Sequence, residues 1–250
     1  MQVMTHVNFI IHSAAQLIPC AGNQPLRGDT MRSLQIIADG AVAIQDGIIV
    51  AVGSSADIRA RYTADHSLAA QGKAVIPGFV DPHTHVVYAG DRVDEFERRI
   101  QGATYMEIMA QGGGINSTVR AVRAATLESI IAQTRTRLDA MLRLGTTTAE
   151  VKSGYGLNTE NELKLLNAIA VLDQTHPIDL IPTFMGAHAI PPEYAGHTDD
   201  YVDLVINDMI PAVADWYQQS HFKVRGVPLF IDVFCEQNAF TREQSHRILA

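Results

Sequence analysis

Four apolar runs constrain this chain more than any other feature: Ala74–Val80, Thr146–Val151, Leu180–Met185 and Leu229–Phe234. None alternates strictly between apolar and polar residues, which is the pattern of strands covered on both faces. Helical stretches separate them. Residues 118 to 144 carry Val119, Val122, Leu127, Ile130, Ile131, Leu138, Met141 and Leu142 at helical spacing, and Gly145 is placed to end the run. Thr159-Glu160-Asn161-Glu162 reads as a capping box ahead of Leu163, Leu166, Ile169 and Leu172, and Pro177 stops that helix. Asp199 or Asp200 is placed to cap a third helix, with a kink expected at Pro211. Thr241-Arg242-Glu243-Gln244 repeats the capping-box pattern. Strand–helix alternation of this kind makes an α/β layer with a parallel sheet. The pattern fits an open doubly wound sheet or a closed barrel, but no Gly-rich nucleotide loop follows the first run, which weighs against the former.

Ahead of these runs the chain is β-rich. Asp46-Gly47 separates Ala41-Val42-Ala43-Ile44 from Ile48-Ile49-Val50-Ala51-Val52, a strong hairpin signal. Of 250 residues, 47% are hydrophobic and 18% charged, an ordinary globular composition. The formal charge of −8 argues against a nucleic-acid or anionic-membrane partner. Cys20 and Cys235, the two cysteines, are far apart and form no disulfide framework, so a reducing compartment is expected. No apolar run approaches the roughly 18 residues of a membrane span, and no signal peptide is evident. The expectation is a cytoplasmic soluble protein.

The sharpest chemical signal is His83-Thr84-His85 at the end of the first run. In a strand, residues i and i+2 point to the same side, so both imidazoles can reach one ion, as zinc or iron(II) prefers. A plain pair of surface histidines is the competing reading. The long connections Gly90–Asn116 and Ala187–Gly196 follow strands, where barrel enzymes keep their chemistry. Arg92, in the loop leaving the histidine pair, has a fork suited to a carboxylate, unless it pairs with Asp94 or Glu95. Tyr155 lies between Gly154 and Gly156, which let a loop bend close to a ligand. His188 ends the third run, ahead of a Pro-Pro loop. Lys152 reads as a supporting group. Glu150 and Glu236 are strand-end carboxylates without an assigned role, and His6, His12, His66, His176, His197, His221 and His246 read as structural or surface groups.

The stretch Val75-Ile76-Pro77-Gly78-Phe79-Val80-Asp81-Pro82-His83-Thr84-His85 resembles the opening signature of the amidohydrolase superfamily, and residues 44–53 resemble its N-terminal β segment. Four further stretches narrow the resemblance to the imidazolonepropionases, ring-opening enzymes of histidine degradation. They are Tyr88-Ala89-Gly90-Asp91-Arg92, Ala110-Gln111-Gly112-Gly113-Gly114-Ile115, the run from Gly145 to Leu157, and that from Phe184 to Tyr194. The resemblance implies a (β/α)8 TIM barrel with one divalent metal, zinc or iron, held by His83 and His85. It also implies that Arg92, Tyr155 and His188 contact the substrate, 4-imidazolone-5-propanoate, which is hydrolysed to N-formimino-L-glutamate, and that the enzyme is a homodimer. The alternatives are another amidohydrolase branch, such as a cyclic-amide hydrolase or nucleobase deaminase, and a non-catalytic half-barrel.

Only four barrel strands can be counted. About 175 residues follow Ala74, against about 250 for a whole barrel. Residues 1–73 are therefore expected to form the N-terminal part of a small β-sandwich domain, and residues 74–250 the first half of the barrel. By the same resemblance, the remaining metal ligands (a His and an Asp) and the general acid/base are expected beyond Ala250. The isolated chain is expected to have little hydrolase activity.

Overall fold

Pro77 has no N–H to give a sheet ladder, and the chain changes unit just after it. The computed structural model describes residues 4–22, 24–104, 107–108, 112–237 and 239–250. It divides into Met1–Gly78 and Phe79–Ala250. The run Ala74–Val80, expected to be one barrel strand, is accordingly two strands in two sheets: Ala74–Val75 pairs in the first unit, and Phe79–Thr84 opens the second.

The first unit is one mixed sheet. Its strands are β1 (Thr5–Leu17), β2 (Ile37–Gln45), β3 (Ile48–Ser54), β4 (Tyr62–Ala69) and β5 (Ala74–Val75), in the order β3-β2-β1-β4, with β5 also on β1. A short 3-10 turn, Gly28–Arg32, lies between β1 and β2. The hairpin forms where Asp46-Gly47 signals it: Gln45 faces Ile48, and φ is 51° at Asp46 and 78° at Gly47, the signs that a twist-matched two-residue turn requires. Helix α1 (Ser55–Arg61), capped by the Ser54 hydroxyl on the Asp57 N–H, places Ile58 against Val7, Ile10, Ala41 and Ala43.

The second unit is built on a parallel sheet of β6 (Phe79–Thr84), β7 (Thr146–Lys152), β8 (Asp179–Ala187) and β9 (Phe230–Val233), in sequence order. Consecutive order is that of neighbouring barrel staves; a doubly wound sheet reverses its order at a switch point. Helices α2 (Val93–Ile100), α3 (Ile115–Ala124) and α4 (Leu127–Arg143) join β6 to β7, and α5 (Thr159–Thr175) joins β7 to β8. Between β8 and β9 come a 3-10 turn (Pro192–Tyr194), α6 (Thr198–Leu204), a π-helical stretch (Val205–Met209), α7 (Ile210–Gln219) and α8 (His221–Arg225), and α9 (Arg242–Leu249) follows β9.

Three helix expectations are corrected. The N-cap of α6 is His197, and Asp199 and Asp200 lie in its first turn rather than at the cap. The helix expected over residues 118–144 is α3 and α4, broken at Ala125-Thr126, because the Thr126 hydroxyl caps the Ser129 N–H and starts a new helix. Asn158, not Thr159, caps α5, which frees Glu162 for another task. A π-helical stretch, Val205–Met209, stands just ahead of Pro211, where the sequence predicts a kink. Thr241 and Gln244 do form the expected capping box of α9.

The core of this unit lies between sheet and helices. Leu165, Leu166, Ile169 and Leu172 of α5 are fully buried, together with Ala149 and Val151 of β7 and Phe184 of β8. Each large side chain so buried stabilises the fold by up to about 1.5–3 kcal/mol. No helix among the described residues is long and apolar enough to cross a membrane.

Candidate metal and ring-binding site

The strand ends of the second unit gather the polar groups. At the end of β6, Thr84 turns toward β7: its N–H donates to Glu150 Oε2 at 3.2 Å and its hydroxyl to the Glu150 carbonyl at 2.7 Å. Alternation then sends His83 and His85 to the other side, where their ring centroids lie 5.4 Å apart. His83 is exposed and His85 half-buried. The Nδ1 of His85 is buried without a hydrogen-bond partner, an arrangement costing about 1–3 kcal/mol unless something fills it. Burial, followed by the neighbouring His188, His83 and Lys152, pushes the His85 pKa from 6.5 down to about 4, against a weaker opposing pull from Asp232. At neutral pH this ring is therefore an uncharged imidazole with a free lone pair, the form that binds a metal. The chain's own residues thus fit a metal as two imidazole donors. Among the described residues, no third His, Cys, Asp or Glu joins them in a metal-binding cluster.

Lys152 is buried beside this pair and is fully engaged. Its Nζ donates to Glu150 Oε1 at 2.7 Å and to Asp232 Oδ2 at 2.8 Å. Burial acts to lower its pKa, but the two carboxylates outweigh it and the net shift is upward. Burial likewise acts to raise the Asp232 pKa, and the Lys152 contact overcomes it. Glu150, left without a role by sequence reasoning, therefore ties β6 to β7 and holds Lys152. The sequence alone does not single out Asp232. Its position on β9 carried a weak signal, a lone acid inside the apolar run Leu229–Phe234.

The second aromatic layer comes from β7 and β8. His188, just beyond β8, donates its Nδ1–H to the Gly154 carbonyl at 2.9 Å, leaving Nε2 as the ring's acceptor. Its ring stacks on His85 at 4.7 Å and 20°, with Tyr155 edge-on to His188 at 5.2 Å and to His85 at 5.8 Å. Phe234, beyond β9, closes the layer 6.2 Å from His188. Burial lowers the His188 pKa despite the Gly154 hydrogen bond, and burial raises that of Tyr155 despite the charge of Arg92. Tyr155 thus stands as a neutral hydroxyl. Arg92 donates from Nε to the Thr118 hydroxyl at 3.0 Å, while Glu95 accepts instead from the Gly114 N–H at 2.9 Å. Of the motif around that glycine, Ala110 and Gln111 lie outside the described residues.

The loop carrying Tyr155 has a backbone few residues could adopt. Gly154 has φ +92°, and a Cβ there would come within 2.9 Å of the Met185 carbonyl and 3.0 Å of His188 Nδ1. Glu162, fully buried on the first turn of α5, accepts from the N–H groups of Gly154, Gly156 and Leu157 at 2.8–2.9 Å. Arg123 of α3 holds the carbonyls of the same loop, with Nε on Gly156 at 2.8 Å and Nη2 on Leu157 at 3.2 Å, and pairs with Glu193 at 2.7 Å. Sequence reasoning placed Glu162 in a capping box and gave Arg123 no part.

Comparison with known proteins agrees with the motifs. The family described as "Imidazolonepropionase-like composite domain, bacteria" matches residues 40–64. The chain is 56% identical over 247 residues to the imidazolonepropionase of Chloroflexus aggregans, covering 98% of this chain and 58% of that protein. It is 54% identical over 247 residues to that of Herpetosiphon aurantiacus, with 98% and 57% covered, and 49% identical over 251 residues to that of Halobacterium salinarum, with 98% and 55% covered. The chain thus spans under three fifths of the length of these relatives. Among solved structures it is similar in fold to Escherichia coli guanine deaminase, with a TM-score of 0.57 and 17% identity over 89% of this chain and 45% of that one. A triazine hydrolase variant gives a TM-score of 0.54 with 16% identity over 89% and 45%. The resemblance to imidazolonepropionases holds over nearly the whole chain.

Proposed function

We propose that this chain carries the metal-binding and ring-binding face of an imidazolonepropionase. The reaction is metal-dependent hydrolysis of 4-imidazolone-5-propanoate to N-formimino-L-glutamate. The observation that carries this reading is the convergence of His83, His85, Tyr155 and His188 at the strand ends, with a buried His85 nitrogen left unpaired. His83 and His85 would hold one divalent ion, zinc or iron, whose chemistry when bound is to acidify water toward neutral pH. Arg92 presents a guanidinium for the propanoate carboxylate. The Tyr155 hydroxyl and the His188 ring offer hydrogen bonds to the imidazolone ring and exclude water from its flat face.

Identity of 49–56% to three imidazolonepropionases supports this substrate over a cyclic amide or a nucleobase, and over a non-catalytic half-barrel. The resemblance extends the reading to a cytoplasmic homodimer and to residues 79–250 as barrel staves. Calorimetric titration tests it. The chain is expected to take up one zinc or iron(II) ion, and then a ring-and-carboxylate analogue such as imidazole-4-propanoate. Metal affinity should be lost in His83→Ala and analogue affinity in Arg92→Ala. Binding of neither metal nor analogue would overturn the reading.

A further inference from the structure

Glu162 is a fully buried carboxylate that α5 does not need, since Asn158 caps that helix. Its two oxygens receive three backbone N–H groups: Oε2 that of Gly154, and Oε1 those of Gly156 and Leu157. Three donors converging on two atoms require a group that only accepts. A carboxylate meets that condition, whereas a glutamine amide would turn an NH2 against a backbone N–H. The first turn of a helix also favours negative charge. Between the captured residues stands Tyr155, whose ring meets His85 and His188. The segment is held in an unfavourable form, with φ +92° at Gly154 and φ +52° at Leu157, a non-glycine residue in the left-handed region. Arg123 grips the carbonyls of the same segment.

We propose that Glu162 is a positioning residue: by capturing the backbone of residues 154–157 it sets the Tyr155 ring against the His85–His188 stack. Its effect on ligand affinity rests on the ring-binding function proposed above; its effect on the loop does not. Glu162→Gln keeps the shape and removes the acceptor-only character. Three readouts are taken on the whole chain: amide hydrogen exchange of residues 154–157, the fluorine NMR shift of 3-fluorotyrosine at position 155 (assigned by its loss in Tyr155→Phe), and affinity for imidazole-4-propanoate. In Glu162→Gln, exchange at Gly156 and Leu157 is expected to quicken about tenfold or more, the scale of one lost charge-assisted hydrogen bond. The fluorine signal should shift, and analogue affinity should fall about tenfold. In a Tyr155→Ala background, where the positioned ring itself is gone, Glu162→Gln should weaken the analogue no further. Should Glu162→Gln fail to fold, Arg123→Lys loosens the same segment from its carbonyl side and is expected to move the same readouts.

Unchanged exchange and an unmoved fluorine signal would overturn the proposal, as would additive losses in the double variant. If the wild-type chain binds no analogue, the proposed function fails. Exchange and fluorine shift then still decide the role of Glu162.

Discussion

The second unit buries histidines and carboxylates at both ends of its sheet; the carboxylates are partnered at both, but among the described residues one end leaves a buried histidine nitrogen unpaired. Where β8 begins, every such group is partnered. Asp173, with no exposed side-chain surface, accepts from Arg225 at 2.6 Å, His221 at 2.7 Å and the Leu180 N–H at 2.8 Å. His176 bridges Asp139 at 3.2 Å and the Ile178 N–H at 3.1 Å. Where β6 and β8 end, His85 keeps a buried nitrogen with no partner, and three more rings crowd it. Residue type is the same; saturation is not. A closed hydrogen-bond set stabilises the fold, while an open one must be held in place by its surroundings.

The sharpest way to break this comparison is to strip the open end. His83→Ala combined with His85→Ala should weaken zinc binding by at least about 100-fold, read by competition with a chromophoric chelator. Unchanged affinity would place the metal elsewhere. At the closed end, Asp173→Ala should lower the free energy of unfolding by about 2–4 kcal/mol in urea, because it orphans a buried N–H, the His221 ring and the Arg225 guanidinium at once. Zinc affinity per folded molecule should stay as it was; a matching loss would show that the two ends act as one network.

Acid separates the ends next. Free imidazole takes its proton near 6.5 and folded His85 only near 4, so between these values the unfolded chain binds more protons. Stability of the chelator-treated protein should therefore fall as pH drops from about 6.5 to about 4. His85→Leu should flatten that slope, leaving the smaller part of the same sign that belongs to His188. An unaltered slope would mean that His85 is not held neutral by its surroundings. The smallest effect is expected at an exposed pair. His6 and Asp65 lie 3.0 Å apart in the first unit with over half of each side chain in solvent. There His6→Ala should change stability by less than about 0.5 kcal/mol in the same denaturation assay.

Residues that announce themselves locally were the ones legible in the sequence. The Asp46-Gly47 hairpin, the Thr241 capping box and the histidine pair each depend on neighbours a few positions away, and pattern alone locates them. Three runs became β7, β8 and β9 within a few residues of their expected limits. What escaped depends on partners far along the chain or on a competition that spacing cannot rank. Glu162 looks like a capping residue until the 154–157 loop folds back over it. Asp232 has meaning only once β9 lies beside β8 and brings it to Lys152, 80 positions earlier in the chain and 2.8 Å away in space. The strand break at Pro77-Gly78 was hidden because an apolar run reads the same whether one sheet uses it or two.

The sheet of the second unit carries one more consequence. Among the described residues its outer strands are β6 and β9, and both present apolar side chains to solvent: Phe79 and Val80 on one, Phe230 and Ile231 on the other. A parallel margin cannot be sealed by a two-residue turn, since the next parallel strand must arrive through a crossover of a dozen residues or more. A strand that covers either border must therefore bring a crossover segment of its own, whichever polypeptide supplies it.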